Sequence, residues 1–320
     1  MADQKITLTT GRRYDTKFLL DGDVQVKGFD IHYHDAGPAP FPVFRDMVTK
    51  ISYDIGEQAF SHYLMAKDQG KPLTAIPVFP SRFFPQLGIT VNRQSGIREP
   101  IDLVGKRVAV AGFGYNPAVW MRGILVHQYD VPVEQIVWVE DAEDPFLGGL
   151  NYPRSRRFTI EKAEGLVQLL LWSGSSMELL ESERIDAFIP PGGGPSMTDK
   201  TRKLFDDPYA EIRKYVQATS VFPINTVMTL KEEVVKAHPE LPGRLLEAFR
   251  EARGRYHEEV LEGKESDHMH LRVGALREMG LFPDQYGLEP NRQAIRMMIQ
   301  YCYEQGLIRT LFEPEDLFVG

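Results

Sequence analysis

The chain has 320 residues, room for two domains with separate cores. It is 42% hydrophobic and 26% charged, as a globular protein is, and its formal net charge is −8. An acidic chain lacks the basic surface that a nucleic-acid backbone recruits, and no apolar run is long enough to span a bilayer. Cys302 is the single cysteine, so an intramolecular disulfide and a thiolate metal cluster are both excluded within one chain. The opening Met1-Ala-Asp-Gln-Lys-Ile6 has no apolar signal region, and a cytoplasmic location is expected.

In chain order, Ile6 and Leu8 alternate with polar residues in a first strand, which ends in the polar turn Gly11-Arg-Arg-Tyr-Asp15. Residues 29–33 predict a second strand and residues 44–50 a helix. A short strand over 52–57 closes on Glu57 before a helix at 58–66, so Glu57 reads as a cap or as a ligand contact. Residues 71–79 form another strand, ending in Pro80-Ser-Arg82. The apolar, β-branched run 88–92 reads as a crossing between domains.

Residues 105–131 organise the rest. Val108 to Ala111 is a short apolar run, as in a parallel strand covered on both faces. Asn116 is placed as N-cap and Pro117 as first residue of a helix whose Ala118, Met121, Ile124 and Leu125 face the sheet. The helix start points at the glycine turn 112–116, which is either an anion site or an ordinary strand-to-helix turn. A dinucleotide site needs a third glycine at position 117, where proline stands.

Residues 135–139 and 184–189 predict strands, 163–180 a helix and 141–158 an irregular segment. The loop 190–194 follows the second of those strands, and 199–204 reads as a helix. A second crossing is placed at 220–228. Beyond it lie helices over 241–260, 267–279 and 291–305. Strands alternating with helices in both halves give an α/β architecture. Two crossings give two lobes, 1–90 with 226–320 and 91–225, and ligands in such folds bind at the strand ends in the cleft.

Among the chemistry-bearing residues, His32 and His34 share a strand face but lack a third metal ligand. His268 and His270 are read as surface residues of a helix, and Cys302 as a buried thiol. No metal and no cofactor are expected. The remaining polar residues at loop positions are Arg13, Tyr14, Asp15, Glu57, Ser81, Arg82, Tyr115, Asn116, Trp120 and Asn225. Arg82 suits a carboxylate, which its planar fork pairs bidentately, or else pairs internally with Glu57.

Several strings resemble the 4,5-dihydroxyphthalate decarboxylase family: Ile76-Pro-Val-Phe-Pro-Ser-Arg82, Ala118-Val-Trp-Met-Arg-Gly-Ile-Leu125, Phe222-Pro-Ile224 and Tyr286-Gly-Leu-Glu-Pro-Asn291. Gly105-Lys-Arg-Val, Ile185-Asp-Ala, Glu304-Gln-Gly-Leu307 and Leu317-Phe318 extend it collinearly over nearly the whole chain. The resemblance implies a two-lobed type II periplasmic-binding-protein-like fold with two crossing strands and a helical C-terminal segment. It also implies decarboxylation of a hydroxylated aromatic acid. The chain departs from the family pattern at Phe83 to Leu87, at Asn116 and at Asn225-Thr226, where two histidines and a threonine are replaced.

The expected function is therefore a cofactor-independent decarboxylase of a small hydroxylated aromatic acid such as 4,5-dihydroxyphthalate. A proton must reach the ring carbon that loses CO₂, and Glu57 or Tyr14 is placed to supply it, with Arg82 in the catalytic set. Arg13, Asp15, Ser81, Tyr115, Asn116, Trp120 and Asn225 are expected to bind the substrate. The partner is a small aromatic carboxylate rather than nucleic acid or membrane, and a homo-oligomer is compatible with the sequence. The alternatives are a solute-binding or sensor protein for a small carboxylate and a related dehydratase-type lyase.

Overall fold

A computed structural model describes residues 6–37, 41–142, 150, 155–163, 175–190 and 197–320. The loop expected at 190–194 and most of the segments expected at 141–158 and 163–180 lie outside the described residues. The first strands are β1 (Ile6–Thr10), β2 (Ile31–Asp35), β3 (Ile55–Ala59) and β4 (Leu73–Ile76). They are followed by β5 (Thr90–Asn92), β6 (Arg107–Val110), β7 (Val137–Asp141), β8 (Thr159–Ala163), β9 (Ala187–Ile189) and β10 (Thr201–Lys203). After these come β11 (Thr226–Lys231) and a small hairpin, β12 (Asp267–His268) with β13 (Leu271–Arg272).

The chain divides into two compact units. The first holds Met1–Arg82, Ile224–Ile299 and Thr310–Gly320, and the second holds Phe83–Pro223 and Gln300–Arg309. At the passage between them Arg82 and Ile224 form an isolated antiparallel bridge, and the Phe83 amide donates to the Pro223 carbonyl at 3.1 Å. The breaks thus fall at 82/83 and 223/224, against the expected positions near 90 and 225. Residues 90–92 do not cross: they are β5, hydrogen-bonded to β9 on one side and β10 on the other.

Residues 300–309 group with the second unit for a clear physical reason. Arg122 Nε donates to Gln305 Oε1 at 2.7 Å, and Gln305 Nε2 donates to the Val119 carbonyl at 2.9 Å. A Cβ on Gly123 would stand 2.1 Å from the Tyr301 ring, so only glycine lets the ring lie on this helix.

In the first unit the sheet order is β2-β1-β3-β11-β4. β1 pairs in parallel with β2 and β3, whereas β11 inserts antiparallel between β3 and β4. β3 is buried at every residue, as expected of an inner strand covered on both faces. The helix Phe60–Asp68 that follows it is buried from Phe60 to Ala66. A helix buried on all sides, with Ser61 and His62 among its enclosed residues, lies inside the core, where each buried Leu, Met or Phe contributes roughly 1.5–3 kcal/mol.

The second unit has the order β10-β5-β9-β6-β7-β8, with β9, β6, β7 and β8 parallel. β6 and the helix Asn116–Tyr129 realise the strand, turn and helix read from residues 105–131. The N-cap is Tyr115 rather than Asn116, because the Tyr115 carbonyl accepts the first helical bond, from the Val119 amide at 3.0 Å. Residues 201–203 are strand β10 and not a helix, since Thr201, Arg202 and Lys203 take register against Asn92, Val91 and Thr90 of β5.

Candidate active site

The polar turn after β1 is held by a buried carboxylate. Glu57 is the third residue of β3, and its side chain is wholly enclosed. Its Oε2 accepts from Thr10 Oγ1 at 2.7 Å and from the Gly11 amide at 3.2 Å, and its Oε1 pairs with Arg13 Nη2. Glu57 therefore does not close the strand as an open acid. Every oxygen has a partner, and that partner on the cation side is Arg13, not Arg82. Gly11 lies under the guanidinium, and a Cβ there would stand 2.0 Å from Arg13 Nη1. Nη1 is buried and has no hydrogen-bond partner among the described residues.

Tyr14 follows, at φ 44°, a left-handed conformation that a tyrosine rarely adopts. Its ring stands edge-on to His268 at 5.4 Å and to Tyr256 at 5.7 Å. Burial pushes its phenol above the ordinary range, with Arg13 and Arg253 pulling the other way and the Met269 amide donating to its oxygen. The hydroxyl thus keeps its proton at neutral pH.

Behind Tyr14 lies a buried charge network. Asp15 accepts from Arg253 Nε at 2.9 Å and from the Tyr286 hydroxyl at 2.5 Å. Arg253 Nη1 donates to both oxygens of Asp284, at 3.1 and 2.9 Å. Arg82 Nε donates to Asp284 Oδ2 at 3.2 Å, and Arg82 Nη2 meets Asn291 Oδ1. His257 Nε2 and His268 Nε2 reach Asp284 Oδ1 at 3.1 and 3.0 Å. Two arginines are thereby balanced by two aspartates, which is how buried charge is tolerated. Despite burial, Arg253 and the two imidazoles hold Asp284 well below the usual carboxylate range.

Burial lowers the His268 pKa, against the pull of Asp284, so its ring is neutral at neutral pH. A neutral ring that donates Nε2–H to Asp284 leaves Nδ1 a bare acceptor, and Nδ1 is buried with no partner among the described residues. His257, His268 and Asp284 offer ligand atoms within 4.8 Å of one another, the spacing of a metal trio. The donor chemistry suits a cation, but the charge does not. Arg82 and Arg253 already engage the same carboxylate, and a metal ion would sit against two fixed positive charges.

The sequence placed His268 and His270 on a helix surface, and this is corrected. His268 is fully buried in β12, and Met269 and His270 form the two-residue loop of the hairpin with φ of 54° and 66°. His270 is exposed. Ser81 and Asn225 lie side by side in the first unit, the Asn225 amide donating to the Ser81 carbonyl at 2.9 Å. His32 and His34 are exposed on β2, and His34 Nδ1 is 3.0 Å from Thr9 Oγ1.

Tyr115, Asn116 and Trp120 belong to the second unit and are 4%, 1% and 1% exposed. Trp120 stands edge-on to Tyr301 at 5.5 Å, a packing contact within that unit. The glycine turn at 112–116 does engage a carboxylate, but it is the protein's own: the Phe113 amide donates to Glu140 Oε2 at 2.9 Å. Glu140, which ends an apolar run as a ribose-binding acid would, is fully buried and lies 3.5 Å from Lys162 Nζ.

Arg253, His257, Asp284, Tyr286 and Asn291 were not singled out as site residues from the sequence. One signal was available on the helix Leu241–Leu261, where Arg250, Arg253 and His257 recur at the spacing of one face.

Residues 43–140 match the family described as NMT1/THI5 like. The chain is 28% identical to 4,5-dihydroxyphthalate decarboxylase of Comamonas testosteroni, over 99% of this chain and 97% of that protein. Among solved structures, the desulfurization enzyme DSZB aligns with a TM-score of 0.56 at 14% identity, covering 98% of this chain and 96% of that one. The alkanesulfonate-binding protein SsuA of Xanthomonas axonopodis pv. citri aligns with a TM-score of 0.52 at 12% identity, covering 98% and 97%. The fold is thus the periplasmic-binding-protein-like one, and along its whole length the chain resembles the 4,5-dihydroxyphthalate decarboxylases.

Proposed function

We propose that the protein is a cofactor-independent carboxy-lyase for a small hydroxylated aromatic acid such as 4,5-dihydroxyphthalate. The observation that carries the reading is the Arg13 guanidinium, fixed by enclosed Glu57, with Nη1 unpartnered and the protonated phenol of Tyr14 beside it in the chain. The relative from Comamonas testosteroni, similar end to end, supports the same chemistry.

In this reading Arg13 takes a substrate carboxylate that stays on the ring, and Tyr14 hands a proton to the ring carbon bearing the carboxylate that leaves. That carbon becomes tetrahedral. The bond to the carboxylate then breaks, its electron pair restores the aromatic ring, and CO₂ departs. A hydroxyl para to the reacting carbon supplies electron density for the protonation. The phenolate left on Tyr14 takes its next proton from solvent, so one proton is consumed for each CO₂ released. Ser81, Arg82, Asn225 and Asp15 support the substrate from the same unit, and Glu57 acts by holding Arg13.

Two substitutions test the assignment. Arg13→Gln should raise KM by roughly tenfold or more, the worth of a charge-assisted bond of about 1.5–3 kcal/mol. Tyr14→Phe should lower kcat by on the order of a hundredfold with KM little changed. Full turnover in Tyr14→Phe would remove Tyr14 from the chemistry. The second reading, a solute-binding protein, draws on the fold shared with alkanesulfonate-binding SsuA. It predicts saturable binding of the acid with no CO₂ released.

A further inference from the structure

In the first unit a pocket of about 340 Å³ opens beside the charge network, lined by Arg250, Arg253, Gly254, His257, Asp284 and Tyr286 among others. Its volume suits a small molecule. Arg250, Arg253, Gly254 and His257 lie three, four and seven residues apart on one helix, so a single face presents two guanidiniums and an imidazole to the same space. Asp284 lines the same pocket and, with Asp15, balances Arg253, so the cation left over there is Arg250.

The two arginines differ in what they have left to offer. Arg253 is 3% exposed and committed to Asp15 and Asp284. Arg250 is exposed, and no ion pair or hydrogen bond of its guanidinium occurs among the described residues. It lies along the backbone at Gly287, where a Cβ would stand 2.9 Å from Arg250 Nη2. That loop is fixed: the Gly287 amide donates to the Pro77 carbonyl at 2.8 Å, and Asn291 Nδ2 donates to the carbonyls of Gln285 and Gly287 at 2.9 and 2.8 Å. Gly254 keeps the floor open, since a Cβ there would meet nothing within 4 Å.

We propose that this pocket is a binding site for a small oxyanion, a carboxylate or a phosphate, gripped by the free fork of Arg250, with the N–H groups of Arg253 and His257 on the same helix face. The planar guanidinium matches two oxygens of such an anion. Arg253 and His257 also donate to Asp284, which receives His268, whose ring meets Tyr14. An anion in the pocket competes with Asp284 for both donors, so its occupancy reaches the candidate active site through named hydrogen bonds.

The test is calorimetric titration of the full chain with inorganic phosphate and, separately, with phthalate. The second titration is made in an Arg13→Gln background, so that binding at the candidate active site does not contribute. Arg250→Gln should weaken binding at least tenfold and leave turnover of the substrate unchanged. Gly254→Met, which fills the open floor, should weaken it by a similar factor. Phosphate alone binding through Arg250 identifies free phosphate as the ligand, phthalate alone identifies an organic acid, and either result upholds the site. Binding of neither anion, or binding that Arg250→Gln leaves at the wild-type level, overturns it. Neither titration depends on whether the protein decarboxylates anything.

Discussion

Arg13 and Glu57 form an ion pair across the turn after β1, in which the Glu57 side chain is wholly enclosed and the Arg13 side chain is 17% exposed. The asymmetry assigns the roles: the acid is the anchor and the arginine is the reaching group. Glu57→Gln should therefore act on affinity. Loss of the charge frees Arg13 and should raise KM roughly tenfold or more with a smaller change in kcat. Steady-state kinetics check this. A collapse of kcat at constant KM would instead make Glu57 a proton carrier.

Gly11 is the second support of Arg13. With Cβ placed 2.0 Å from Nη1 and 2.8 Å from the Gly37 carbonyl, Gly11→Ala must push the guanidinium off its seat. The expected outcome is a KM defect like that of Arg13→Gln, with the circular dichroism spectrum unchanged. Wild-type KM in Gly11→Ala would show that the position of Arg13 does not matter.

Asp284 is the hub of the buried network, receiving Arg82, Arg253, His257 and His268. Asp284→Asn leaves two guanidiniums facing one neutral amide and should cost about 3–5 kcal/mol of stability, read by urea unfolding. The same crowding of positive charge predicts that dialysis against a strong chelator leaves both stability and turnover unchanged. A loss restored by a divalent ion would place a metal on His257, His268 and Asp284.

What could be read in advance was local. The strand, turn and helix of residues 105–131 announce themselves by an apolar run followed by glycines and a proline, and the periodicity of the helix Leu241–Leu261 is equally plain. The hairpin at 267–272 reads as helix in the sequence because Met269 and His270 are not the Asn-Gly pair that advertises a two-residue turn, although both adopt the positive φ it needs. Misplacing that turn put His268 on the surface. Strand β10 is three residues long and has no period to detect. The partners of Glu57 and Arg82 were beyond reach for another reason: Arg13 is 44 residues from Glu57, and Asp284 is 202 from Arg82. Only the folded chain pairs them.

Acid sensitivity follows from buried imidazoles. Burial lowers His62 from 6.5 to about 3, and His268 is lowered for the same reason. A histidine depressed in the folded state binds its proton more readily when unfolded, so its stability is fully present above pH 6.5 and lost as pH falls toward the folded value. In that window each such residue adds a slope of about 1.4 kcal/mol per pH unit. Stability measured between pH 7 and pH 4 should therefore fall steeply, and His62→Asn should flatten the fall by about one proton's worth. An unchanged slope would remove His62 from the acid response.

Release of CO₂ measures directly whether bound acid is turned over. Chelator-treated protein is incubated with 4,5-dihydroxyphthalate while CO₂ and the ring product are quantified together. A decarboxylase releases one CO₂ and one 3,4-dihydroxybenzoate per substrate consumed, over many turnovers, at a rate reduced about a hundredfold in Tyr14→Phe. Saturable binding of the acid with no CO₂ above the protein-free control would contradict it and leave the solute-binding reading in its place.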